Sequence, residues 1–244
     1  MNLTTNVPAV LLVGGMGTRL RSVVPDTPKP LATVGGKSFL DLLVRQLRNQ
    51  GIRRLIMCSG YLADQIENKF GDGSTWDVAI KYSREPQPLG TAGAIKLAEG
   101  YLKEDSLFLV MNGDSFLEID LGQLIRAHRE HNGLATMAIV SVQNAGRYGT
   151  VRVDSDAQVT GFSEKTGMDI PGLINAGVYV FDRSIFAHIS EGTSSLERDV
   201  FPWILDRGVF ALEQRGMFID IGTPEDYARA QVLCEQLSGA ALRG

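Results

Sequence analysis

A buried strand that breaks into a glycine-rich bend constrains this chain more than any other stretch. Residues 9–13 (AVLLV) are apolar and are followed at once by GGMGTRL. Glycine lacks a Cβ, so such a bend lets backbone N–H groups approach an anion closely. Two cations, Arg19 and Lys29, lie on the same connection, and the prolines flanking Lys29 restrict its backbone. The stretch predicts a cradle for several phosphates.

Two common phosphate-binding loops do not fit this stretch. A dinucleotide fingerprint requires G-x-G-x-x-G, but after Gly15 and Gly17 the third position is Leu20. A Walker A loop ends in G-K-[ST], which does not occur here. A plain glycine turn remains an alternative for GGMG alone, and the following T-R-L and P-K-P favour a phosphate site.

Composition limits the classes of partner. The 244 residues are 44% hydrophobic, enough for one substantial core, and the formal charge of −4 without a basic tract argues against a nucleic-acid partner. Cys58 and Cys234 are far apart and are expected to be reduced thiols. His128 and His131 lack a metal-like set of partners and are interpreted as solvated. No signal pattern or membrane-length segment occurs, so we expect a soluble cytoplasmic protein without a membrane partner.

Short apolar runs alternate with amphipathic segments in the first part of the chain. Strands are predicted over residues 9–13, 55–58, 78–82, 107–111 and 134–142, and helices over residues 38–50, 63–70 and 121–132. This alternation predicts an α/β fold, a Rossmann-like three-layer sandwich with a mostly parallel central sheet. Ligands bind beyond the carboxyl ends of such strands. Gly14, Ser59 and Asn112 follow strand ends and should lie along one crevice.

From Arg147 onward the pattern changes to short β segments joined by polar turns, which predicts a small β-rich portion. Strands are predicted over residues 150–153, 159–163, 210–214 and 218–221, and helices over residues 195–206 and 223–237. Apolar residues late in the chain could serve a homodimer as well as a core; they are Val232, Leu233 and Leu237.

The segment EPQPLGTAGAIKLA (residues 85–98) predicts an irregular loop that leads into a helix. Pro88 and Gly90 disfavour regular structure, and Thr91 can cap a helix that begins near Ala92. Gly90 and Gly93 leave room for a flat ring to lie against the backbone. A simple loop with a helix cap is the alternative.

Two acidic residues are candidates for a cation site. Asp114 follows a predicted central strand in NGD and is well placed for a hard cation such as Mg²⁺, although it could equally be a turn residue. Asp220 is a lone acid between apolar neighbours in MFIDIG. A carboxylate there costs several kcal/mol to bury unless it is paired or bound to metal.

These motifs resemble those of the sugar-nucleotide pyrophosphorylases, the nucleotidyltransferases that act on sugar 1-phosphates. The resemblance runs over nearly the whole chain and is carried by GGMGTRLRSVVPDTPKPL, NGDSF, RYGTV, GLINAGVYVF, SLERDVFP and FIDIGTPEDYARAQ. The resemblance is strongest to the D-glycero-D-manno-heptose 1-phosphate guanylyltransferases. It implies a GT-A-like single domain over residues 1–244, with a nucleotide-binding half at about 1–142 and a sugar-phosphate-binding half at about 143–244.

The resemblance also implies a reaction. A nucleoside triphosphate, with GTP favoured, would react with a sugar 1-phosphate, with D-glycero-D-manno-heptose 1-phosphate favoured, to give an NDP-sugar and pyrophosphate with Mg²⁺ as cofactor. Mannose 1-phosphate guanylyl transfer and uridylyl or thymidylyl transfer to other sugars are alternatives. A non-catalytic sugar-nucleotide-binding regulator is a more distant one.

Carried over residue by residue, the resemblance implies three sets of site residues. The catalytic set is Arg19, Lys29, Asp114, Lys165 and Asp220, with Asp114 and Asp220 as the metal pair. The nucleotide-binding set is Leu12, Gly14, Gly15, Gly17, Thr18, Arg19, Ser59, Gly60, Pro88, Leu89, Gly90, Thr91, Asn112, Gly113 and Asp114. The sugar-phosphate-binding set is Tyr148, Gly149, Glu164, Lys165, Asn175 and Gly177, although Glu164-Lys165 alone could be an ordinary surface pair.

Overall fold

The computed structural model describes residue 4 and residues 6–163 and 170–242. The strands in these residues are β1 (Ala9–Leu12), β2 (Thr33–Val34), β3 (Lys37–Ser38), β4 (Arg54–Ser59), β5 (Ala79–Arg84), β6 (Leu107–Asn112), β7 (Ser115–Leu117), β8 (Ala135–Val142), β9 (Thr150–Val153), β10 (Val159–Ser163), β11 (Gly172–Asp182), β12 (Val209–Gln214) and β13 (Phe218–Asp220). The α-helices are α1 (Phe39–Asn49), α2 (Ala63–Phe70), α3 (Gly90–Leu97), α4 (Leu121–His131), α5 (Phe201–Ile204), α6 (Pro224–Val232) and α7 (Cys234–Ala241).

One mostly parallel sheet forms the middle layer, in the spatial order β12-β8-β11-β6-β1-β4-β5. β6, β1, β4 and β5 pair in parallel, as do β12 and β8, whereas β11 is antiparallel to both of its neighbours. Side chains of β1 alternate between two buried clusters, with Val10 in one and Leu11 in the other. The cluster of Leu11 is covered by α1, α2, α4, α6 and α7, and that of Val10 by α3 and α5. The predicted three-layer α/β fold is confirmed.

Local sequence explains how α1 begins. Ser38 Oγ accepts a hydrogen bond from Asp41 N at 3.3 Å, and Asp41 Oδ2 accepts one from Ser38 N at 3.0 Å. This reciprocal capping box satisfies two backbone donors that the first turn leaves unpaired. The predicted start of this helix at Ser38 is therefore confirmed.

Two short antiparallel pairs lie beside the central sheet. β9 pairs with β10 to give the expected β-rich portion, and β7 pairs with β13. The second pairing sets Asp220 opposite Ser115, and Ile221 N donates to Asp114 O at 2.9 Å. Residues that are distant in the sequence thus meet beside the end of β6.

The structure adds a strand that the sequence analysis did not predict. β11 inserts antiparallel between β8 and β6, and its register against β8 shifts between Asn175 and Tyr179. Its first half reads GLINAG, where Asn175 and two glycines interrupt the apolar run, so that half shows neither a continuous apolar run nor an alternation.

Two helix predictions were wrong in detail. The single helix predicted over residues 195–206 is a π-helical turn (Leu196–Val200), followed by α5 and a 3-10 turn (Leu205–Arg207), because Pro202 has no N–H to continue a regular ladder. The helix predicted over residues 223–237 is two helices, α6 and α7, which meet at Leu233.

The structure also shows whether individual side chains are buried or exposed. His128 is buried, with Nδ1 at 3.1 Å from Thr136 Oγ1, so its interpretation as a solvated residue was wrong. Leu237 is fully buried, whereas Val232 is 83% exposed. Among the described residues, no helix is both long and apolar enough to cross a membrane.

Candidate active site

A cleft of about 410 Å³ opens at the carboxyl ends of β1 and β6. It gathers the glycine bend (residues 14–19), the loop after β5 with the start of α3, and the turn between β6 and β7. Its lining residues are Leu12, Gly14, Gly15, Met16, Gly17, Thr18, Arg19, Lys29, Pro30, Glu85, Pro88, Gly90, Thr91, Ala94, Asn112, Asp114 and Gly222.

The glycine bend presents unpaired backbone donors to this cleft. Within the described part of the chain, no hydrogen bond is formed by the backbone N–H groups of residues 15–19. Gly17 has a φ of +57°, and a Cβ there would lie 2.9 Å from Lys29 Cβ, so glycine permits both the bend and its close packing. Unpaired N–H groups on a tight bend form a site for anions such as phosphate.

Two positive side chains lie beside the bend, and they differ in whether an acid already pairs with them. Arg19 is exposed at the cleft and, in the ranges the structure covers, forms no ion pair with a carboxylate. Lys29 has a side chain only 10% exposed, and its Nζ lies 2.6 Å from Asp114 Oδ2. Arg19 is free to bind an added anion, whereas Lys29 is already engaged with an acid.

Asp114, in the turn between β6 and β7, lies close to Asp220 at the end of β13. Burial and the nearby Asp114 carboxylate raise the pKa of Asp220, while Lys29 and a hydrogen bond from Gly222 N at 2.7 Å oppose that rise. One ammonium group therefore serves two carboxylates and leaves an excess of negative charge.

This donor set fits a hard divalent cation. Asp114 and Asp220 provide two carboxylates close to each other. Within the described residues, no group of three or more His, Cys, Asp or Glu side chains could hold a metal ion. Mg²⁺ is commonly bound by one or two carboxylates, with water and substrate phosphates completing its shell. Asp114 and Asp220 are the residues that would hold it.

Glu85 is a cleft residue that the sequence analysis did not select. Its Oε2 accepts a hydrogen bond from Leu89 N at 2.9 Å, and its Oε1 lies where a Cβ on Gly14 would collide with it. Burial raises the pKa of Glu85. The available signal was an acid directly after the strand β5, the same strand-end position that identified Asn112 and Ser59.

The first turn of α3 is held by the segment 192–197. Gly90 has a φ of +73°, and a Cβ there would lie 2.5 Å from Ser194 O. The same carbonyl accepts hydrogen bonds from Ala92 N at 3.0 Å and Gly93 N at 3.1 Å. Thr91 does not cap α3 as predicted: its Oγ1 instead accepts a hydrogen bond from Leu196 N at 2.8 Å.

Some predicted nucleotide-binding residues lie behind the cleft wall. Ser59 is fully buried, and its Oγ donates to Glu67 Oε1 at 3.2 Å. Gly60 packs on Gly14, since a Cβ on Gly60 would lie 3.1 Å from Gly14 O. The residues of this set that do not line the cleft are Ser59, Gly60, Leu89 and Gly113.

The predicted sugar-phosphate residues are partly brought to this end of the sheet. Gly177 packs on Asn112, because a Cβ at Gly177 would lie 2.5 Å from Asn112 Nδ2, and Asn175 Oδ1 accepts from Gly177 N at 3.0 Å. Tyr148 packs edge-on against Phe218, the first residue of β13, with ring centroids 6.0 Å apart. Gly149 follows Tyr148, whereas Glu164 and Lys165 lie outside the described residues.

Comparison with known proteins identifies the class of protein. The chain matches the nucleotidyl transferase family over residues 8–236 and belongs to that family. Members of this family generally use divalent metal ions. The expected resemblance and fold class are both confirmed.

Individual relatives cover nearly all of this chain. It is 38% identical to the mannose-1-phosphate guanylyltransferase of Mycobacterium tuberculosis, over 99% of this chain and 68% of that protein. It is also 38% identical to the D-glycero-alpha-D-manno-heptose 1-phosphate guanylyltransferase of Aneurinibacillus thermoaerophilus, over 91% of this chain and 96% of that protein. The crystal structure of HddC from Yersinia pseudotuberculosis complexed with GMP-PN is similar at a TM-score of 0.83 and 36% identity, covering 93% of this chain and 98% of HddC.

Proposed function

We propose that this chain is a sugar 1-phosphate guanylyltransferase that joins GTP to a sugar 1-phosphate and releases pyrophosphate. The observation that carries the proposal is the juxtaposition of an unpaired glycine bend and a free Arg19 with the acidic pair Asp114 and Asp220. The relatives named above are guanylyltransferases, and HddC has been crystallised with a guanine nucleotide.

The reaction places more demand on positioning than on proton transfer. The phosphate oxygen of a sugar 1-phosphate is already an anion, and it attacks the α-phosphorus of the triphosphate as pyrophosphate leaves. Catalysis must bring anions together and stabilise the charge that passes to the leaving group. We assign the β- and γ-phosphates to the N–H groups of the glycine bend and to Arg19. Lys29 is assigned to the phosphate junction, and Lys165 to the incoming phosphate.

The divalent metal of this family is proposed to be Mg²⁺, held by Asp114 and Asp220. When bound, Mg²⁺ supplies positive charge that offsets the repulsion between carboxylates and phosphates. Lys29 keeps Asp114 oriented by its 2.6 Å contact, and Gly222 N orients the Asp220 carboxylate at 2.7 Å. These two contacts hold the carboxylates in place before substrate arrives.

Glu85 accounts for the choice of guanine. Guanine presents two adjacent donors, N1–H and N2–H, whereas uracil and thymine present one N–H between two carbonyls. A desolvated carboxylate at the cleft wall accepts from both guanine donors and repels the carbonyls of the pyrimidines. Leu12 and Gly90 line the same cleft and provide surface for the ring.

The sugar-phosphate half is proposed to lie at about residues 143–244, with Tyr148, Gly149, Glu164, Lys165, Asn175 and Gly177 contacting the sugar phosphate. D-glycero-D-manno-heptose 1-phosphate is favoured because the chain covers 96% of the length of the heptose 1-phosphate guanylyltransferase from Aneurinibacillus thermoaerophilus. Mannose 1-phosphate is the second candidate, favoured by an equal identity of 38% to the mycobacterial protein. GTP is a cytoplasmic metabolite, so a cytoplasmic location is part of the proposal.

The test is pyrophosphate release by the purified chain. GTP, ATP, UTP, CTP and dTTP are each combined with heptose 1-phosphate, mannose 1-phosphate and glucose 1-phosphate, with and without Mg²⁺. We expect release with GTP and one of the two manno-configured sugars, dependent on a divalent metal. Tight binding of GDP-sugar without release from any pair would support a non-catalytic regulator and contradict the proposal. Release only with UTP or dTTP would overturn the base assignment.

A further inference from the structure

Glu197 lies between the two substrate-binding elements and contacts both. Its Oε2 accepts hydrogen bonds from Ser195 Oγ at 2.9 Å and from Thr91 Oγ1 at 3.3 Å. Its Oε1 accepts one from Tyr179 Oη at 3.4 Å. Thr91 lines the nucleotide cleft, and Tyr179 belongs to β11, which also carries Asn175. The carboxylate therefore joins the first turn of α3 to the sugar-side strand.

On the side of β11, the carboxylate sets the direction of a hydrogen-bond chain. A carboxylate can only accept, so the Tyr179 hydroxyl points its proton toward Glu197. Burial raises the pKa of the fully buried Tyr179 well above its ordinary value, which keeps this proton in place. The hydroxyl then offers a lone pair to Asn175 Nδ2, 2.7 Å away.

These hydrogen bonds fix the orientation of the Asn175 side-chain amide at both its nitrogen and its oxygen. Its Nδ2 donates to Tyr179, and its Oδ1 accepts from Gly177 N at 3.0 Å. A side-chain amide has two donor hydrogens and two acceptor lone pairs, so one of each remains for a ligand. A fixed amide that offers one donor and one acceptor suits a pair of sugar hydroxyls.

On the nucleotide side, Thr91 is held by the same segment from two directions. Its Oγ1 accepts from Leu196 N at 2.8 Å and donates to Glu197. The backbone N–H groups of residues 92 and 93 donate hydrogen bonds to the carbonyl of Ser194, which lies in the same segment as Glu197. The position of the first turn of α3 at the nucleotide cleft therefore depends on the segment that carries Glu197.

We propose that Glu197 is a positioning residue that holds Thr91 directly and Asn175 through a relayed hydrogen bond. This inference rests on the proposed function, because it assigns nucleotide to one side of the carboxylate and sugar 1-phosphate to the other. Its loss should weaken both substrates, whereas loss of the Tyr179 hydroxyl should weaken the sugar alone.

The first experiment measures KM for GTP and for the preferred sugar 1-phosphate in Glu197→Ala and Glu197→Gln. The alanine variant should raise both KM values about five- to tenfold, as expected for the loss of a hydrogen bond on each side. The glutamine variant should restore both to within about threefold. Its Oε1 still accepts from Tyr179, and its Nε2 can donate to the Ser195 and Thr91 oxygens. Glu191→Ala, an exposed acid in the same connection, is the matched control.

The second experiment is a double-mutant cycle between Glu197 and Tyr179. Tyr179→Phe should raise the KM for sugar 1-phosphate about fivefold and leave the KM for GTP unchanged. Combined with Glu197→Ala, it should add no further increase, because both changes break the same relay. Tyr101→Phe is the tyrosine control, since Tyr101 donates its hydroxyl to Tyr82 O away from the cleft. Melting temperatures identify any variant that loses the fold.

Several outcomes would overturn the inference. An unchanged sugar KM in Tyr179→Phe, additive effects in the double variant, or no rescue by Glu197→Gln would each contradict a relay through this carboxylate. Calorimetric affinities for GTP and sugar 1-phosphate are measured in parallel and give the same comparison without turnover. A wild-type chain that binds both ligands but releases no pyrophosphate would defeat the proposed function, while the affinities would still decide the role of Glu197.

Discussion

Arg19 is an exposed guanidinium that lines the cleft beside unpaired backbone donors. A planar, permanently charged group with several N–H donors suits the leaving pyrophosphate better than a point charge does. This guanidinium is therefore expected to act mainly on the transition state rather than on the fold.

Replacing Arg19 should separate catalysis from stability. Arg19→Ala is expected to lower kcat/KM for GTP about 10²- to 10³-fold with an unchanged melting temperature, and Arg19→Lys should recover part of the loss. Arg21→Ala is the control, because Arg21 lies over the Tyr61 ring at 4.5 Å and does not line the cleft. The measurement is steady-state pyrophosphate release, and wild-type turnover in Arg19→Ala would defeat the assignment.

A substitution at Glu85 should change which base is selected as well as the rate. Glu85→Gln replaces one acceptor oxygen by a donor, so it should lower kcat/KM for GTP about 10- to 100-fold. The new amide can donate to a pyrimidine carbonyl, so the ratio of UTP to GTP use should rise. The exposed Glu104→Gln serves as control. An unchanged ratio in Glu85→Gln would remove this residue from base recognition.

At the scale of elements, α4 packs on the sheet through a histidine. Burial lowers the pKa of His128 to about 4, more than the nearby Asp182 raises it. Its Nδ1 lies 3.1 Å from Thr136 Oγ1 on β8. The imidazole is therefore a neutral part of the interface between the helix and the sheet.

His128 predicts a pH dependence of stability. The unfolded chain takes up a proton below about pH 6.5, but the folded chain does so only near pH 4, so stability falls as the pH drops between these values. The slope from this residue is about 1.4 kcal/mol per pH unit. His128→Gln should flatten the fall in the free energy of unfolding between pH 6.5 and 5, measured by urea denaturation. His131→Gln, a change on the exposed side of α4, should leave it steep.

The elements that the sequence predicted well are those with a clear period and a local signal. α1 has an amphipathic stripe and a serine cap, and β1 is an apolar run that ends in glycines. In β11, Asn175 and two glycines interrupt the apolar run, and residues 195–206 combine a helical stripe with Pro202, whose missing N–H interrupts a regular helix. His128 was interpreted as solvated from its charged neighbours, although it continues the stripe of Leu121, Leu124 and Ile125 that is buried against the sheet.

At the scale of the whole molecule, the candidate site depends on pairings that no local pattern contains. Asp114 and Asp220 were separately recognisable as acids at strand ends, but the pairing of β7 with β13 brings them together. The ion pair between Lys29 and Asp114, and the role of Glu85 in the cleft wall, also follow from the fold rather than from spacing. Lys165 stays a prediction from the motif.

The ion pair between Lys29 and Asp114 predicts how the protein behaves when the divalent metal is removed. Chelation with EDTA should abolish turnover, and added Mg²⁺ should restore it. The melting temperature of the nucleotide-free chain should hardly change, because the Lys29 ammonium neutralises part of the acidic pair. Lys29→Met removes that charge and leaves two carboxylates in mutual repulsion, so it should cost about 1–3 kcal/mol of stability in EDTA.

Mg²⁺ should then stabilise Lys29→Met more than it stabilises the wild-type chain, since a ligand that binds the folded state alone raises its stability by mass action. Thermal unfolding in EDTA and in a series of Mg²⁺ concentrations measures both effects. Lys37→Met, an exposed lysine on β3, is the matched control. Equal stabilisation of the two chains by Mg²⁺, or unfolding of the wild-type chain by EDTA, would show that lysine and metal do not act on the same acidic pair.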